Sequence, residues 1–234
     1  MNVLAVGCHP DDLEIGCGGT LAKYARNNHK AFMCLIANGD AGHKIIEPKE
    51  LAGIRRRESE AAAKVLGAEL FMLGVSDLQV SNYNEETVDK LTDVIRFTKP
   101  DIVITHNPQD YMRDHMQTSE LAFNASFNAS VTHRKTAYGV FDAIPPVYYM
   151  DTLAGMGFIP TEYVDISDVL DIKLKALACH ESQIRWMKDH DKIDFLDFVA
   201  TCSKYRGLQC GVAAAEGFRP CVNWPRMTAK RLLP

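Results

Sequence analysis

The stretch from Ala31 to Ala37, AFMCLIA, is an unbroken apolar run with no polar position to face solvent. Strands of this kind are covered by protein on both faces, as the strands of a parallel sheet are. Similar short runs alternate along the chain with helix-like segments, and parallel neighbours need such crossovers. The pattern therefore predicts an α/β fold with a mainly parallel sheet and helices on both faces.

The remaining periodicities predict a single Rossmann-like domain over residues 1–234, because no linker, repeat or low-complexity tract interrupts them. The predicted strands are 3–6, 31–37, 70–73, 102–105, 138–141, 147–150 and 163–166. The predicted helices are 18–28, 48–66, 85–97, 114–129, 169–188 and 195–204. The glycine- and proline-rich end of the chain is expected to be extended or irregular. Functional residues are expected beyond the carboxyl ends of the strands.

Charge and composition exclude several classes of protein. Lys and Arg number 26 against 30 Asp and Glu, a net charge of −4, so we expect no nucleic-acid or anionic-membrane partner. No apolar run is long enough for a membrane span. The first residues resemble a strand rather than a signal peptide, and the seven cysteines contain no CxxC pair. A cytoplasmic protein with reduced thiols is therefore expected.

A first polar cluster follows strand 3–6 directly. His9 is followed within five positions by three carboxylates, those of Asp11, Asp12 and Glu14. Carboxylates so close repel one another unless a cation compensates, and a divalent metal would do so. His9 and Asp12 lie three residues apart and can face one side of a helical turn, which leaves Asp11 nearby as a general base. The alternative is a turn whose aspartates cap the next helix.

The glycines after this cluster suggest a phosphate-binding loop only at first sight. Gly16, Gly18 and Gly19 do not complete the G-x-G-x-x-G pattern, because position 21 is leucine, and no G-K-[ST] sequence is present. A nucleotide-binding module is therefore disfavoured. The glycines are expected instead to let the helix pack tightly beneath the site.

A second polar cluster follows strand 102–105. It runs from His106 to His115, and His115 is the natural third metal ligand. Two imidazoles and one carboxylate form the usual catalytic zinc set, which leaves a position open. Asp114 and Asp110 could orient an imidazole, or Asp114 could cap the helix. The alternative for His115 is an ordinary surface histidine.

These residues resemble the LmbE-like, or PIG-L, zinc-dependent de-N-acetylases. The resemblance rests on HPDDLEIGCGGT at residues 9–20, R-x-x-E at 55–58 and DH-x-x-T at 114–118, followed by HxSQ at 180–183 and AExF at 215–218. It spans residues 3 to 218. It implies His9, Asp12 and His115 as zinc ligands and Asp11 as the general base.

The resemblance implies two further catalytic residues. Arg55 corresponds to an arginine near the substrate oxygens, and its alternative is a helix-surface pair with Glu58. His180 corresponds to a histidine that protonates the leaving amine or stabilises the oxyanion, and its alternative is a packed helix histidine. Glu14 is a further residue expected near the site or the substrate.

One position departs from the family pattern. Many members carry a histidine that helps stabilise the oxyanion where this chain has Met112, and a thioether cannot donate a hydrogen bond. Tyr111, His106 and His180 are the candidate replacements. A catalytically weakened relative is the alternative that Met112 raises.

The expected activity is hydrolysis of an N-acetyl group on an N-acetylglucosamine-type conjugate, with a non-sugar N-acyl amide as the alternative. Zn²⁺ is the expected cofactor, and Fe²⁺ suits the same ligands. A homo-oligomer, either a trimer or a hexamer, is expected by analogy with the family. Aromatic residues between 131 and 158 are expected to form part of the sugar-binding wall: Tyr138, Phe141, Tyr148 and Tyr149.

Overall fold

Seven strands form one sheet at the centre of the computed structural model, which describes residues 1–234. In chain order they are β1 (Asn2–Gly7), β2 (Lys30–Ala37), β3 (Ala68–Val75), β4 (Ile102–Thr105), β5 (Val147–Met150), β6 (Glu162–Asp165) and β7 (Ala215–Pro220). Their spatial order is β3-β2-β1-β4-β5-β7-β6. The first five strands pair in parallel, and β7 runs antiparallel to both β5 and β6.

The strand order reverses between β1 and β4. In the aligned registers Gly7 of β1 lies opposite Leu35 of β2, and Val6 of β1 lies opposite Thr105 of β4. The loops that leave these strands therefore emerge side by side. Open α/β sheets bind ligands at such a reversal, because the loops on either side diverge and leave a crevice.

Seven helices cover the two faces of the sheet. They are α1 (Asp12–Arg26), α2 (Pro48–Leu66), α3 (Glu85–Thr98), α4 (Arg113–Asn128), α5 (Leu170–Ala178), α6 (Glu181–Trp186) and α7 (Phe195–Cys210). Buried residues of α1, α2 and α5 join one apolar core of 24 residues, and those of α3 and α4 join a core of 19 on the opposite face. The predicted α/β architecture with helices on both faces is confirmed.

Two predicted elements take a different form. No strand forms at 138–141, because the Arg96 guanidinium draws this part of the chain into a loop. It donates hydrogen bonds to the carbonyls of Ala129, Val131, Arg134 and Tyr138. The irregular end predicted for the chain is also wrong in part, since β7 completes the sheet.

The predicted helix at 169–188 is broken into α5 and α6. His180, at φ −82° and ψ 58°, separates them, and its ring is buried against Glu14. A π-helical turn, Met187–Asp191, continues α6. The break turns α6 away from the axis of α5.

The glycines of α1 allow close packing, as predicted. A Cβ at Gly19 would lie 2.7 Å from Cγ2 of Ile166, and one at Gly16 would lie 2.5 Å from Sδ of Met150. The Glu216 carboxylate, from β7, accepts hydrogen bonds from the Gly19 and Thr20 amides at 2.8 and 2.7 Å. The middle of α1 is thereby fixed against the sheet. None of the helices combines the length and the apolar character of a membrane span.

Candidate active site

A cavity of about 510 Å³ opens at the carboxyl ends of the central strands. Its volume falls within the range of small-molecule sites, about 300–1,000 Å³. The loops after β1, β2, β3 and β4 form most of it, and α6 closes one side. It is lined by both predicted polar clusters, among them His9, Asp11, Asp12, His106, Asp110, Tyr111, Met112 and His115.

Asp12 is the centre of the polar cluster. Its Oδ2 accepts the His9 amide at 2.6 Å and lies 3.5 Å from Nδ1 of the same histidine. Its Oδ1 lies 3.3 Å from His115 Nε2, and His106 Nε2 is 3.2 Å from Oδ2. Three imidazoles therefore converge on one carboxylate.

Two of these imidazoles have a second carboxylate behind them. Asp114 Oδ2 lies 3.4 Å from His9 Nε2, and Asp110 Oδ1 lies 3.1 Å from His115 Nδ1. When these carboxylates accept the outer ring N–H groups, the inner lone pairs of His9 and His115 face Asp12. A carboxylate behind each histidine is the usual support of a metal-binding imidazole. The donor set of two nitrogens and one carboxylate fits a divalent metal.

His106 differs from the other two histidines. Its Nε2 accepts the Cys8 amide at 3.0 Å, and its ring stacks on that of His115 with 4.1 Å between centroids. The donor atoms of Asp12, His106 and His115 form one close group, and those of Cys8, His9 and Asp12 form another. Asp12 belongs to both groups. Because a backbone amide already occupies the inner nitrogen of His106, we assign this ring to positioning His115.

The ionisation of these groups is strongly shifted. Burial raises the pKa of Asp12, but the His115 and His106 rings outweigh it and hold that pKa well below its usual range. Burial lowers the pKa of His115, but Asp12 and Asp110 outweigh it and raise the pKa to about 9. Without a metal, the raised pKa values of His9 and His115 keep protons on these two rings, so a metal that binds here displaces protons.

Asp11 does not cap α1. It occupies the capping position with φ 102°, a left-handed conformation that is costly for a residue with a Cβ, and its side chain makes no capping bond. The carboxylate lines the cavity beside Asp12. Burial and the charge of Asp12 raise the pKa of Asp11 to about 7, against the opposing charges of Arg55 and His180. The position of Asp11 and its raised pKa make it the candidate proton acceptor of the site.

His180 and Glu14 lie behind the cavity wall. His180 is 1% exposed, its Nε2 is 3.2 Å from Glu14 Oε1, and neither residue lines the cavity. His180 therefore acts on the site only through its charge, which lowers the pKa of Asp11. The structure therefore brings the predicted ligands and base together and leaves His180 outside.

Arg55 lines the cavity, and the alternative pair with Glu58 does not form. Glu58 accepts hydrogen bonds from the amide and hydroxyl of Ser182, while Arg55 donates to Gln183.

The expected aromatic wall is wrong. None of the four predicted aromatic residues lines the cavity. Tyr138 and Phe141 lie in the loop around Arg96, and Tyr148 and Tyr149 lie in β5, within the sheet. Sequence reasoning instead missed His43, Lys44, Leu78, Gln183 and Trp186, which do line it. The first three follow β2 and β3, so the rule that placed the two polar clusters at strand ends could have found them.

Comparison with known proteins agrees with this geometry. The family model for PIG-L, described as GlcNAc-PI de-N-acetylase, matches residues 4–126. Diacetylchitobiose deacetylase of Thermococcus kodakarensis is 29% identical over 93% of this chain and 82% of its own. The 4-oxalmesaconate hydratase of Pseudomonas putida is 27% identical over 78% of this chain and 74% of its own. The solved N,N'-diacetylchitobiose deacetylase from Pyrococcus horikoshii, complexed with its inhibitor MPG, is 27% identical. It has a TM-score of 0.80 and covers 94% of this chain and 83% of its own.

Proposed function

The chain belongs to the PIG-L family of de-N-acetylases, and on that premise we propose that it removes the N-acetyl group from an N-acetylglucosamine-type conjugate. Water adds to the acyl carbon, the C–N bond breaks, and acetate and a free amine leave. One observation carries the proposal: Asp12 lies between two imidazoles that are each backed by a carboxylate, with the uncapped Asp11 beside it. The deacetylase relatives support the reaction class.

His9, Asp12 and His115 would hold the metal. A metal on this set supplies Lewis acidity, which polarises the acyl oxygen and acidifies water. Nitrogen and oxygen donors of this kind suit zinc and also iron(II). Asp114 and Asp110 fix the orientations of His9 and His115 through their outer ring nitrogens.

Asp11 moves the proton. Its carboxylate takes a proton from the attacking water and passes it to the amide nitrogen, since an amine leaves readily only once protonated. Burial and the charge of Asp12 raise the pKa of Asp11 in the metal-free protein, and this favours its uptake of a proton from water. His180, behind the cavity wall, opposes this rise through its charge and so favours the ionised form of Asp11.

Tyr111 is the hydrogen-bond donor that we assign to the oxyanion. Of the three candidate replacements for the missing histidine, His180 is outside the cavity and the inner nitrogen of His106 is engaged by Cys8. Tyr111 lines the cavity edge-on to His115, with 5.6 Å between ring centroids. Burial and the charges of Asp12, Asp110 and Asp11 raise the pKa of Tyr111 to about 12, so its hydroxyl keeps its proton.

A second candidate function is the addition of water to a carbon–carbon double bond. It is favoured by the relative named as a hydratase and by Met112, which offers no hydrogen bond to an amide-derived oxyanion. The same base could serve either reaction.

The test is metal analysis and turnover of protein purified without chelator. We expect about one zinc or iron per chain and acetate from N-acetylglucosamine conjugates but not from the parent amines. Hydration of an unsaturated carboxylic acid without any acetate release would favour the second candidate function over the first. Failure to bind metal after reconstitution would refute the deacetylase proposal.

A further inference from the structure

The candidate metal ligands lie between two sides of the cavity that differ in chemistry. The loops after β2 and β3 lie on one side of β1 and β4, and the loop after β5 lies on the other, as the strand order requires. The β2 and β3 side is lined by several hydrogen-bonding side chains, those of His43, Lys44, Arg55 and Gln183. The β5 side is mainly apolar. We call it the apolar lobe, and it consists of Ile15, Met150, Leu153, Met187 and Phe195.

The apolar lobe begins next to the candidate metal ligands. The Ile15 amide donates to the Asp11 carbonyl at 3.1 Å, so Ile15 lies one helical turn beyond Asp11 at the start of α1. Gly16 lies one turn beyond Asp12, and its lack of a side chain lets Met150 approach this turn, since a Cβ there would lie 2.5 Å from Sδ. A group bound in the apolar lobe is therefore adjacent to the reacting centre.

A small core of its own supports the apolar lobe. Phe195 belongs to a buried apolar cluster that is separate from the two large cores and also contains Leu177 and Val199. Three half-buried residues pack against this cluster and line the cavity: Ile15, Leu153 and Met187. The lobe therefore presents apolar surface that the chain itself leaves accessible and that a packed cluster holds in place.

No unpaired charge interrupts the apolar lobe. Asp151 also lines the cavity, but its two oxygens accept hydrogen bonds from the Arg206 guanidinium at 2.5 and 3.0 Å. Leu153 borders a second, smaller cavity of about 40 Å³, where the Lys173 ammonium pairs with Glu216 at 2.5 Å. Because these charges are paired with one another, a hydrocarbon chain in the lobe would leave no charged group without its partner.

An amide carries its acyl chain on one side of the carbonyl–nitrogen bond and the amine substituent on the other, and the cavity has two sides of matching character. We propose that the apolar lobe binds the acyl chain, so that N-acyl groups longer than acetyl, such as butanoyl and hexanoyl, are hydrolysed with a higher kcat/KM than acetyl. The hydroxyl-bearing sugar lies on the β2 and β3 side, among the hydrogen-bonding groups.

The reaction itself is unchanged by a longer chain. Water adds to the acyl carbon, the C–N bond breaks, and the longer carboxylate leaves with the free amine. This inference rests on the proposed function, because it concerns the acyl half of the same amide.

The test compares methyl glycosides of glucosamine that carry an acetyl, a butanoyl or a hexanoyl group on nitrogen. Release of the free amine is the readout, because it is common to all of these substrates. We expect kcat/KM for at least one longer substrate to exceed that for the acetyl substrate about tenfold or more, through a lower KM, since each further CH₂ group that is buried strengthens binding about fourfold.

Variants of the apolar lobe test the assignment. Leu153→Phe narrows the lobe and should abolish the preference for longer chains. Leu208→Phe makes the same change at an exposed position of α7 outside the cavity and should preserve it. If Leu153→Phe does not fold, Met187→Phe narrows the lobe from the π-helical turn. A preference that both variants retain would place the acyl chain elsewhere.

A second pair of substrates addresses the other group that could occupy the apolar lobe. The octyl and methyl glycosides of N-acetylglucosamine differ only in the group attached to the sugar. We expect Leu153→Phe to leave the ratio of their kcat/KM values unchanged. If Leu153→Phe changes this ratio and not the acyl preference, the lobe binds the group attached to the sugar, and the proposal falls.

The two proposals fail in different ways. If the acetyl substrate has a kcat/KM equal to or above those of the longer substrates, the acyl assignment is overturned and the deacetylase proposal stands. If no substrate releases amine, binding measured by titration calorimetry replaces turnover. Tighter binding of a longer chain that Leu153→Phe abolishes would uphold the assignment while the hydrolase proposal falls. Equal binding of all the substrates, or none, would overturn both.

Discussion

Asp11 combines a strained backbone with a carboxylate that no protein donor satisfies, and both features suit a base. In the metal-loaded enzyme Asp11→Asn should retain metal and lower kcat by about 10²-fold or more, because the variant cannot accept a proton. Steady-state acetate release and metal analysis measure the two effects. Asp142→Asn, on an exposed loop, is the matched control. Near-normal turnover in Asp11→Asn would remove Asp11 from the mechanism.

The same residue predicts the acid limb of the pH profile. Asp11 is active when ionised, so kcat/KM should rise with pH through its pKa. Burial and Asp12 raise this pKa to about 7 in the metal-free protein, and a bound cation lowers it, so the limb should have its midpoint below about 7. In Asp11→Asn, the kcat/KM of the residual activity should no longer rise with pH through this range.

Tyr111 and Met112 allow a paired test of oxyanion stabilisation. Tyr111→Phe removes only the hydroxyl and should lower kcat by about 10²-fold with little change in KM. Met112→His introduces a donor at the neighbouring position and should recover part of that loss in the double variant. If Tyr111→Phe turns over as fast as the unaltered enzyme, the oxyanion is held by another group.

Individual residues were predictable from sequence where a strand end supplied the context. His9, Asp11 and Asp12 follow β1 directly, and His115 lies at the start of α4, to which the loop after β4 leads. The structure brings all four to the lining of one cavity. Trp186 was not predictable in this way. It reaches the cavity through the turn at His180, and that turn depends on a contact with Glu14 that is distant in sequence.

At the scale of elements, the contact of α1 with the sheet depends on glycine. Gly19→Ala should destabilise the protein by about 1–3 kcal/mol, because the new methyl group would overlap Ile166. Gly53→Ala in α2 has only a contact at 3.8 Å, and it should stabilise by up to about 1 kcal/mol through helix propensity. Urea unfolding measures both. Equal effects of the two changes on the free energy of unfolding would show that α1 can accommodate a methyl group at Gly19.

Local periodicity predicted the helices and strands whose apolar faces meet the sheet. It failed where one buried polar side chain overrides the pattern. Arg96 draws 138–141 into a loop, and His180 divides α5 from α6. Such partners are distant in sequence, so no window of neighbouring residues contains the signal.

At the scale of the whole molecule, metal binding should be linked to folding. The proposed ligands come from the segments that follow β1 and β4, including the first turns of α1 and α4, and these segments approach one another only in the folded chain. A metal at 100 times its Kd should therefore stabilise the fold by about 2.7 kcal/mol. Thermal unfolding with and without chelator measures this. His115→Ala should lose the increment, and His133→Ala, at an exposed position, should retain it. An undiminished shift in His115→Ala would place the metal elsewhere.

Proteins that evolve from this chain can change their substrate while they keep the same reaction. His9, Asp11, Asp12 and His115 all lie within residues 4–126, the span that the family model matches, whereas Trp186 lies beyond it and outside the HxSQ motif. Substitutions after His180 would reshape the far end of the cavity and leave the hydrolytic centre untouched. Gene duplication followed by drift in this one short segment is thus a direct route to sister enzymes with different conjugates and one common reaction.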